Sequence, residues 1–288
     1  LNTRIITRSG STSSIHNIHV VSAETCKAVI VLASASEESS RDQKNQSDAQ
    51  TIKTILALSS ACPPEENELN IVAEIFERDH YKIVQANCPH RIEIIDANEI
   101  LAKILVQTSR SVGLSVAYSE ILSFDGCEMY FYGADWNGVT FGAGQFHYPD
   151  GATLGIRKAD GEILINPAVD RVLEEGDEVL ILAQDDSTIR FESAPVTTPK
   201  EIPLKPGRVE QGVENELIIG WNRKGRIIVE EYSEYVKDGS SVDIILEHPT
   251  DDSRAEIQEL NDRLGNLTVR LMEKDPLLEK TLLEANPA

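Results

Sequence analysis

Two open parallel α/β sheets separated by a small α+β lobe are what the sequence predicts for these 288 residues. Three observations carry that expectation. Short apolar runs such as Lys27–Leu32 (KAVIVL), Leu69–Ala73 (LNIVA) and Ile92–Ile95 alternate with helix-start signals, and strand–helix alternation builds parallel sheets with right-handed crossovers. Glu216–Gly220 (ELIIG) restarts the pattern beyond a proline-rich stretch. Between the two, residues 127–192 carry strand-like pieces at short spacing with turn signals, the mark of an α+β lobe.

Taken in order, residues 3–8 (TRIITR) read as a short strand closed by Ser9-Gly10-Ser11. A polar stretch with a short helix leads to Lys27–Leu32, whose unbroken apolar run suits a strand covered on both faces. Residues 34–46 read as a loop of low complexity. Ser47 and Gln50 stand at the spacing where cap and third-position side chains bond each other's backbone amides, so a helix is expected from Ser47 through Ile52, Ile55, Leu56 and Ser59. The Leu69–Ala73 strand ends at Glu74, and Ile92–Ile95 leads into Asp96, which with Glu99 repeats the capping spacing. The next helix places Ile100, Leu101, Ile104, Leu105, Thr108 and Val112 on one face, either as a dimerisation arm or as packing on its own domain. Ser111–Gly113 interrupts it before Leu114–Leu122.

In the lobe, strands are expected at Glu128–Tyr132, Thr153–Arg157, Glu162–Ile165 and Glu178–Ala183, with Asp160-Gly161 as a hairpin turn. Residues 194–213, with Pro195, Pro199, Pro203 and Pro206, read as a stiff linker. Beyond Glu216–Gly220, the turn Gly220–Gly225 opens a helix through Tyr235, followed by strands at Ser241–Leu246 and Leu267–Leu271. The domains expected are therefore 1–122, 123–193, a linker at 194–213, and 214–288. The first and last strand–helix pairs are alike in order, which suggests two copies of one unit, both partial.

Composition narrows the function. Lys and Arg number 27 against 48 Asp and Glu, a net charge of -21. That field repels phosphate backbones and anionic lipid, attracts cations, and speaks against nucleic-acid binding. Cys26, Cys62, Cys88 and Cys127 form no CxxC pair and read as reduced thiols. The longest apolar run, Ala28–Ala35, is far short of the roughly 20 residues of a membrane-spanning helix. No GxSxG or HExxH motif occurs, so an enzyme is not expected.

Two places remain as candidate sites. Ligands of open parallel sheets bind outside the carboxyl ends of strands, where Glu74, Glu77 and Asp79 follow the third expected strand, with Glu65, Glu66 and Glu68 shortly before. Carboxylate oxygens suit a hard cation, and a solvated acidic rim is the other reading. The second place is the Gly220–Gly225 turn with Glu247 at the end of the next strand, a partial dinucleotide pattern. Asn222 stands where the fingerprint needs glycine, and Arg226-Ile227 stand where a phosphate loop needs Lys and Ser or Thr. A second acidic run at 170–192 lacks the spacing of an EF-hand loop and reads as turns.

Four stretches, KAVIVLAS (27–34), IVAE (71–74), GIRKADGEILINP (155–167) and VLEEGDEVLILAQDD (172–186), resemble the regulator-of-K⁺-conductance (RCK, TrkA-like) fold. ITRSGS (6–11), the ILxFxxCExY pattern from Ile121 to Tyr130, the INPxxDxVLxEGDEVLILAxDD run and ELIIGWNRKG (216–225) resemble the Castor/Pollux-type ion channels more closely. The resemblance implies Rossmann-like RCK N-type sheet units with an intervening RCK C-type α+β subdomain. It also implies a ligand-sensing gating module of a cation channel, on the cytosolic face of a membrane, coupled to a pore in the same or another chain. The assembly implied is a homo-oligomer, a dimer within a larger ring, and the gating ligand implied is Ca²⁺. A nucleotide-binding regulatory subunit of a TrkA-type K⁺ uptake system is the alternative. Glu74 matches a strand-end acid that binds Ca²⁺ in some relatives of the wider fold. Phe76 replaces a second carboxylate, and Leu32 stands where some relatives carry aspartate.

Overall fold

A computed structural model describes residues 4–64, 69–124, 126–197 and 212–285. The chain divides into two compact units. The first holds Leu1–Lys103, Asn215–Tyr235 and Ser241–Ala288, and the second Ile104–Glu214 with Val236–Ser240. The acids Glu65, Glu66 and Glu68, most of the proline-rich linker, and Thr3 of the first expected strand lie outside the described residues.

Helix α1 (Ile15–Val20) precedes strand β1 (Ala28–Val31), helix α2 (Arg41–Ala61), strand β2 (Asn70–Glu74), helix α3 (Arg78–Asn87) and strand β3 (Arg91–Ile95). The strands form one sheet in the order β1-β2-β3. Both pairings are parallel, with Val29 opposite Ile71 and Ile71 opposite Ile92. The core beneath it joins Ile55 and Leu58 of α2 to Leu69, Ile71, Ile75 and Val84, each at most 2% exposed. These branched side chains pack well on a pleated, covered surface, which makes short runs of them strands.

Two expectations are corrected here. Residues 4–8 are not a strand, and Ile5 and Ile6 are 86% and 58% exposed. The sheet has its three strands without them, and an apolar run with no neighbouring strand has no ladder to join. Helix α2 starts not at Ser47 but at Arg41, within the expected loop. The chain carries the cap spacing twice, and the Ser40–Gln43 copy forms the reciprocal pair. The Ser47 hydroxyl, 2% exposed, instead accepts from the Ser34 and Ala35 amides at 2.9 and 3.2 Å.

Helix α4 (Ala97–Arg110) begins as expected on Asp96, whose Oδ1 accepts from the Asn98 and Glu99 amides at 3.0 and 3.2 Å. Its buried stripe is Ala102 and Val106, whereas Ile100, Leu101 and Leu105 are 44–52% exposed. Gly113 at φ +93° breaks the path before helix α5 (Leu114–Ile121).

The second unit is built on strands β4 (Glu128–Gly133), β5 (Ala152–Arg157), β6 (Ile163–Ile165) and β7 (Glu178–Ala183), with the single-turn helix α6 (Phe141–Gly144) between β4 and β5. The sheet order is β4-β7-β5-β6, all antiparallel. The β5–β6 hairpin turns at Gly161, φ +90°, which only glycine adopts freely. Trp136, Phe141, Ile156, Val179 and Ile181 form its core.

The chain then returns to the first unit. Strand β8 (Asn215–Ile219), helix α7 (Arg223–Ser233), strand β9 (Ser240–Leu246), helix α8 (Asp251–Arg263), strand β10 (Leu267–Glu273) and helix α9 (Glu279–Ala285) follow. Their sheet runs β10-β9-β8, with β8 and β9 parallel. Central strand β9 is buried from Ser240 to Ile245, and its one charge, Asp243, is bonded by Arg270 at 2.6 and 3.0 Å.

Candidate functional site

The carboxyl end of the first sheet is organised by an acid that sequence reasoning missed. Asp48 of α2 is fully buried, and its two oxygens accept from the Phe76 and Glu77 amides, each at 2.9 Å. His80 Nδ1 lies 2.8 Å from Oδ2. Buried carboxylates persist only when so surrounded by donors. The contacts hold the turn from β2 into α3 and so place Glu77, the residue before that helix.

The three sequence-predicted acids are turned to separate partners. Glu74 Oε2 accepts from the Ala33 amide at 3.1 Å, tying β2 to the end of β1. Glu77 Oε1 accepts from Arg223 Nη1 at 3.1 Å. The Asp79 side chain is 96% exposed, with Lys82 at 3.6 Å. Among the described residues no group of three or more His, Cys, Asp or Glu side chains stands close enough to hold a metal ion.

Glu77 does reach a larger feature. Within the first unit, the starts of α3 and α4 face α7 and α8 across a cleft of about 400 Å³. Glu77, Asp96 and Glu99 line one side, and Arg223, Arg226, Ile227, Glu230, Glu231 and Glu256 the other. Arg223 also donates Nη2 to the Phe76 carbonyl, fixing α7 to the β2–α3 turn. Lys103 bonds Glu99 at 2.7 Å and approaches Glu231 at 3.7 Å, and its bond to Glu99 raises its pKa above the usual lysine value. Arg226 is shared among Glu230, Glu256 and Glu259 at 3.0–3.9 Å, and its hydrogen bond holds the Glu259 carboxyl below the ordinary range. Six carboxylates thus face two arginines around one opening.

The glycine turn reaches this cleft through Arg223. Gly220 takes φ +91°, and Asn222 Oδ1 caps α7 by accepting from the Lys224 amide at 2.9 Å. A Cβ on Gly225 would stand 2.6 Å from the Trp221 ring, so the glycine exists to let the indole lie on the helix. Trp221 Nε1 in turn donates to Glu256 at 2.8 Å. The space over this helix start, where a fingerprint loop receives pyrophosphate, is held by the indole and the cap. Glu247 is apart from it, half exposed and 3.6 Å from His248. Gly220 shapes the turn before α7 and Gly225 packs against the Trp221 ring, while Glu247 stands beside His248.

Asp48, Arg223 and Glu256 were not singled out from the sequence, and Arg226 was noted only as a departure from a phosphate-loop pattern. Asp48 had a local signal, because Ser47, Asp48, Thr51, Thr54, Ile55 and Leu58 recur at helical spacing and all prove buried. Arg223 had none, since its partners lie 146 and 147 residues away.

The comparisons with known proteins agree with this architecture. Residues 98–198 match the family described as Castor and Pollux, part of voltage-gated ion channel. The chain is 30% identical over 288 residues to the probable ion channel CASTOR of Oryza sativa subsp. japonica, covering 97% of this chain and 31% of that protein. It is 28% identical over 281 residues to the probable ion channel POLLUX of the same rice, covering 96% and 28%. The chain thus spans about a third of the length of these relatives. The human SLO3 gating ring shares the fold, with a TM-score of 0.58 and 12% identity over 92% of this chain and 55% of that one. Parallel half-sheets, an antiparallel lobe and the likeness to the gating ring define a Rossmann-like RCK fold, and the relatives are named as ion channels, not enzymes. The chain carries RCK domains of the Castor/Pollux type.

Proposed function

We propose that this chain is the ligand-sensing gating module of a cation channel, and that its ligand is Ca²⁺, which would have to draw together the acids of the cleft between Glu77, Glu99 and the α7–α8 face, since no three of them stand close enough to hold a metal ion in the arrangement described. One observation supports the reading above the others. Carboxylates drawn from the helices of both half-sheets meet around one opening where they outnumber arginines three to one. A divalent cation takes six to eight oxygens, and here it competes with Arg223 for Glu77. Occupancy then loosens α7 from the β2–α3 turn, and that change of angle is what a pore, in the same or another chain, responds to. Coupling of this kind works only if the two arrangements differ in affinity for the ion.

The module acts at the cytosolic face of a membrane, in a homo-oligomeric ring whose dimers meet through α4. The exposure of Ile100, Leu101 and Leu105 on the outer face of α4 supports that contact, because neighbouring large apolar side chains left to water mark an interaction surface. Among the described residues no helix is long and apolar enough to cross a membrane.

Calorimetric titration of the chain with CaCl₂, NADH and ATP tests the assignment. Heat is expected with Ca²⁺ and not with either nucleotide, and Glu99→Gln with Glu231→Gln should weaken binding at least tenfold. Heat with a nucleotide and none with Ca²⁺ would instead favour the TrkA-type reading.

A further inference from the structure

We propose that Lys103 is the resident cation of the cleft at Glu77 and Glu99, a tethered ammonium that an entering Ca²⁺ displaces, an inference that rests on the Ca²⁺ reading given above. The side chain stands where such an ion would stand. Its Nζ lies 2.7 Å from Glu99 Oε1 and 3.7 Å from Glu231 Oε1, so one positive charge bridges α4 on one wall to α7 on the other. The first contact is local, because Glu99 and Lys103 stand four apart on α4 with the acid nearer the helix start, the favourable order. The second exists only because the fold sets α7 across the opening.

Lys103 also helps explain why the acids are spread apart. Glu77 is turned to Arg223, and Glu99 and Glu231 are turned to Lys103. With the acids bound to bases of the same chain, no three converge on a point among the described residues. The departure of Lys103 frees acids on both walls at once. The arginines are harder to move, since Arg223 also donates to the Phe76 carbonyl and Arg226 is shared among three glutamates. Lys103 is 47% exposed and carries its charge on a flexible four-carbon stem, so the ammonium can turn into water while α4 stays in place. Ion pairs of that exposure are weak, which suits a contact made to be broken. The bond to Glu99 raises the lysine pKa, so the group stays charged and no proton has to leave as Ca²⁺ enters.

The test titrates CaCl₂ by calorimetry into the full chain, into Lys103→Gln, and into Lys82→Gln as a control. Lys82 pairs with Asp79 at 3.6 Å and does not line the cleft, so its loss changes the net charge equally. Lys103→Gln is expected to bind Ca²⁺ about tenfold more tightly than the parent, because a competing unit charge a few ångströms away is gone. Lys82→Gln should stay within about twofold of the parent, since exposed charges are screened. In parallel, acetylation of Lys103 by acetic anhydride, followed by peptide mass spectrometry, should quicken when CaCl₂ replaces NaCl at equal ionic strength. Circular dichroism verifies that each variant folds. Heat with Lys103→Gln alone would show the tether outcompeting the ion in the parent, and supports the proposal. Equal affinities in the parent and Lys103→Gln, equal gains in both variants, or a Lys103 acetylation rate unmoved by Ca²⁺ would overturn it and leave Ca²⁺ binding standing. No heat from either the parent or Lys103→Gln would remove the Ca²⁺ reading itself, and the tether with it.

Discussion

Asp48 holds the β2–α3 turn by accepting two amide protons away from water. Removing the acceptor leaves two buried N–H groups without partners, each worth about 1–3 kcal/mol. Asp48→Ala is therefore expected to lower the unfolding free energy by about 3 kcal/mol in urea titration, and Asp48→Asn, which keeps one acceptor oxygen, by roughly half that. A loss below about 1 kcal/mol would mean that water replaces the carboxylate. Gly225 sets a second case. A methyl there meets the Trp221 ring at 2.6–2.8 Å, and overpacking costs about 1–3 kcal/mol, which outweighs the roughly 1 kcal/mol that alanine gains over glycine in a helix. Gly225→Ala should thus lower Tm and shift tryptophan emission together, whereas an unmoved spectrum would show the indole undisturbed. A lone acid on a polar helix reads as surface, so Asp48 escaped notice although its neighbours' spacing was visible. The glycines were noticed, either as a phosphate-receiving loop or as a plain strand-to-helix turn, and the turn reading holds, although nothing in the sequence pointed to the indole it accommodates.

At the scale of elements, α4 presents separable faces. Ala102 and Val106 are core, while Leu101 and Leu105 lie outside it, so Leu101→Asp with Leu105→Asp should halve the assembled mass and leave the unfolding transition in place. An unchanged mass would remove α4 from the assembly. Helix α8 is fastened to β10 by Arg254 and Glu273 at 2.8 Å and to α7 by Arg226 and Glu259 at 3.0 Å. The hydrogen bonds from these arginines hold both carboxyls below the usual glutamate range. A lowered folded pKa contributes stability above the unfolded value, near 4.3, and loses it as pH falls through the folded one. NMR titration should find Glu259 and Glu273 protonating below the usual glutamate range, with little effect on global stability because both are exposed. The same two helices illustrate what could be read in advance. The lobe's strands were legible to within a residue, since hairpin glycines and apolar runs punctuate them. Helices α3 and α8 were not, because α8 buries only Ile257 and Leu260 and has no apolar stripe to announce it.

For the whole molecule, a net charge of -21 opposes compaction. Raising NaCl from low concentration to 0.15 M shortens the screening length from about 30 Å to about 8 Å, so Tm should rise, and a Tm independent of salt would place the acids too far apart to matter. Two parallel half-sheets flanking a lobe were legible from the order of apolar runs. Their gathering into one compact unit was not, because it depends on pairs such as Arg223 and Glu77 that no short pattern encodes. That gathering has an optical consequence. The chain has two tryptophans, Trp136 in the core of the lobe and Trp221 in the other unit. The Trp221 indole donates to Glu256, a carboxylate on the wall of the cleft. Any solute that draws Glu256 away changes the polarity felt by one chromophore and not by the other. With Trp136 replaced by phenylalanine, the protein becomes a single-fluorophore sensor whose emission wavelength follows occupancy without any label.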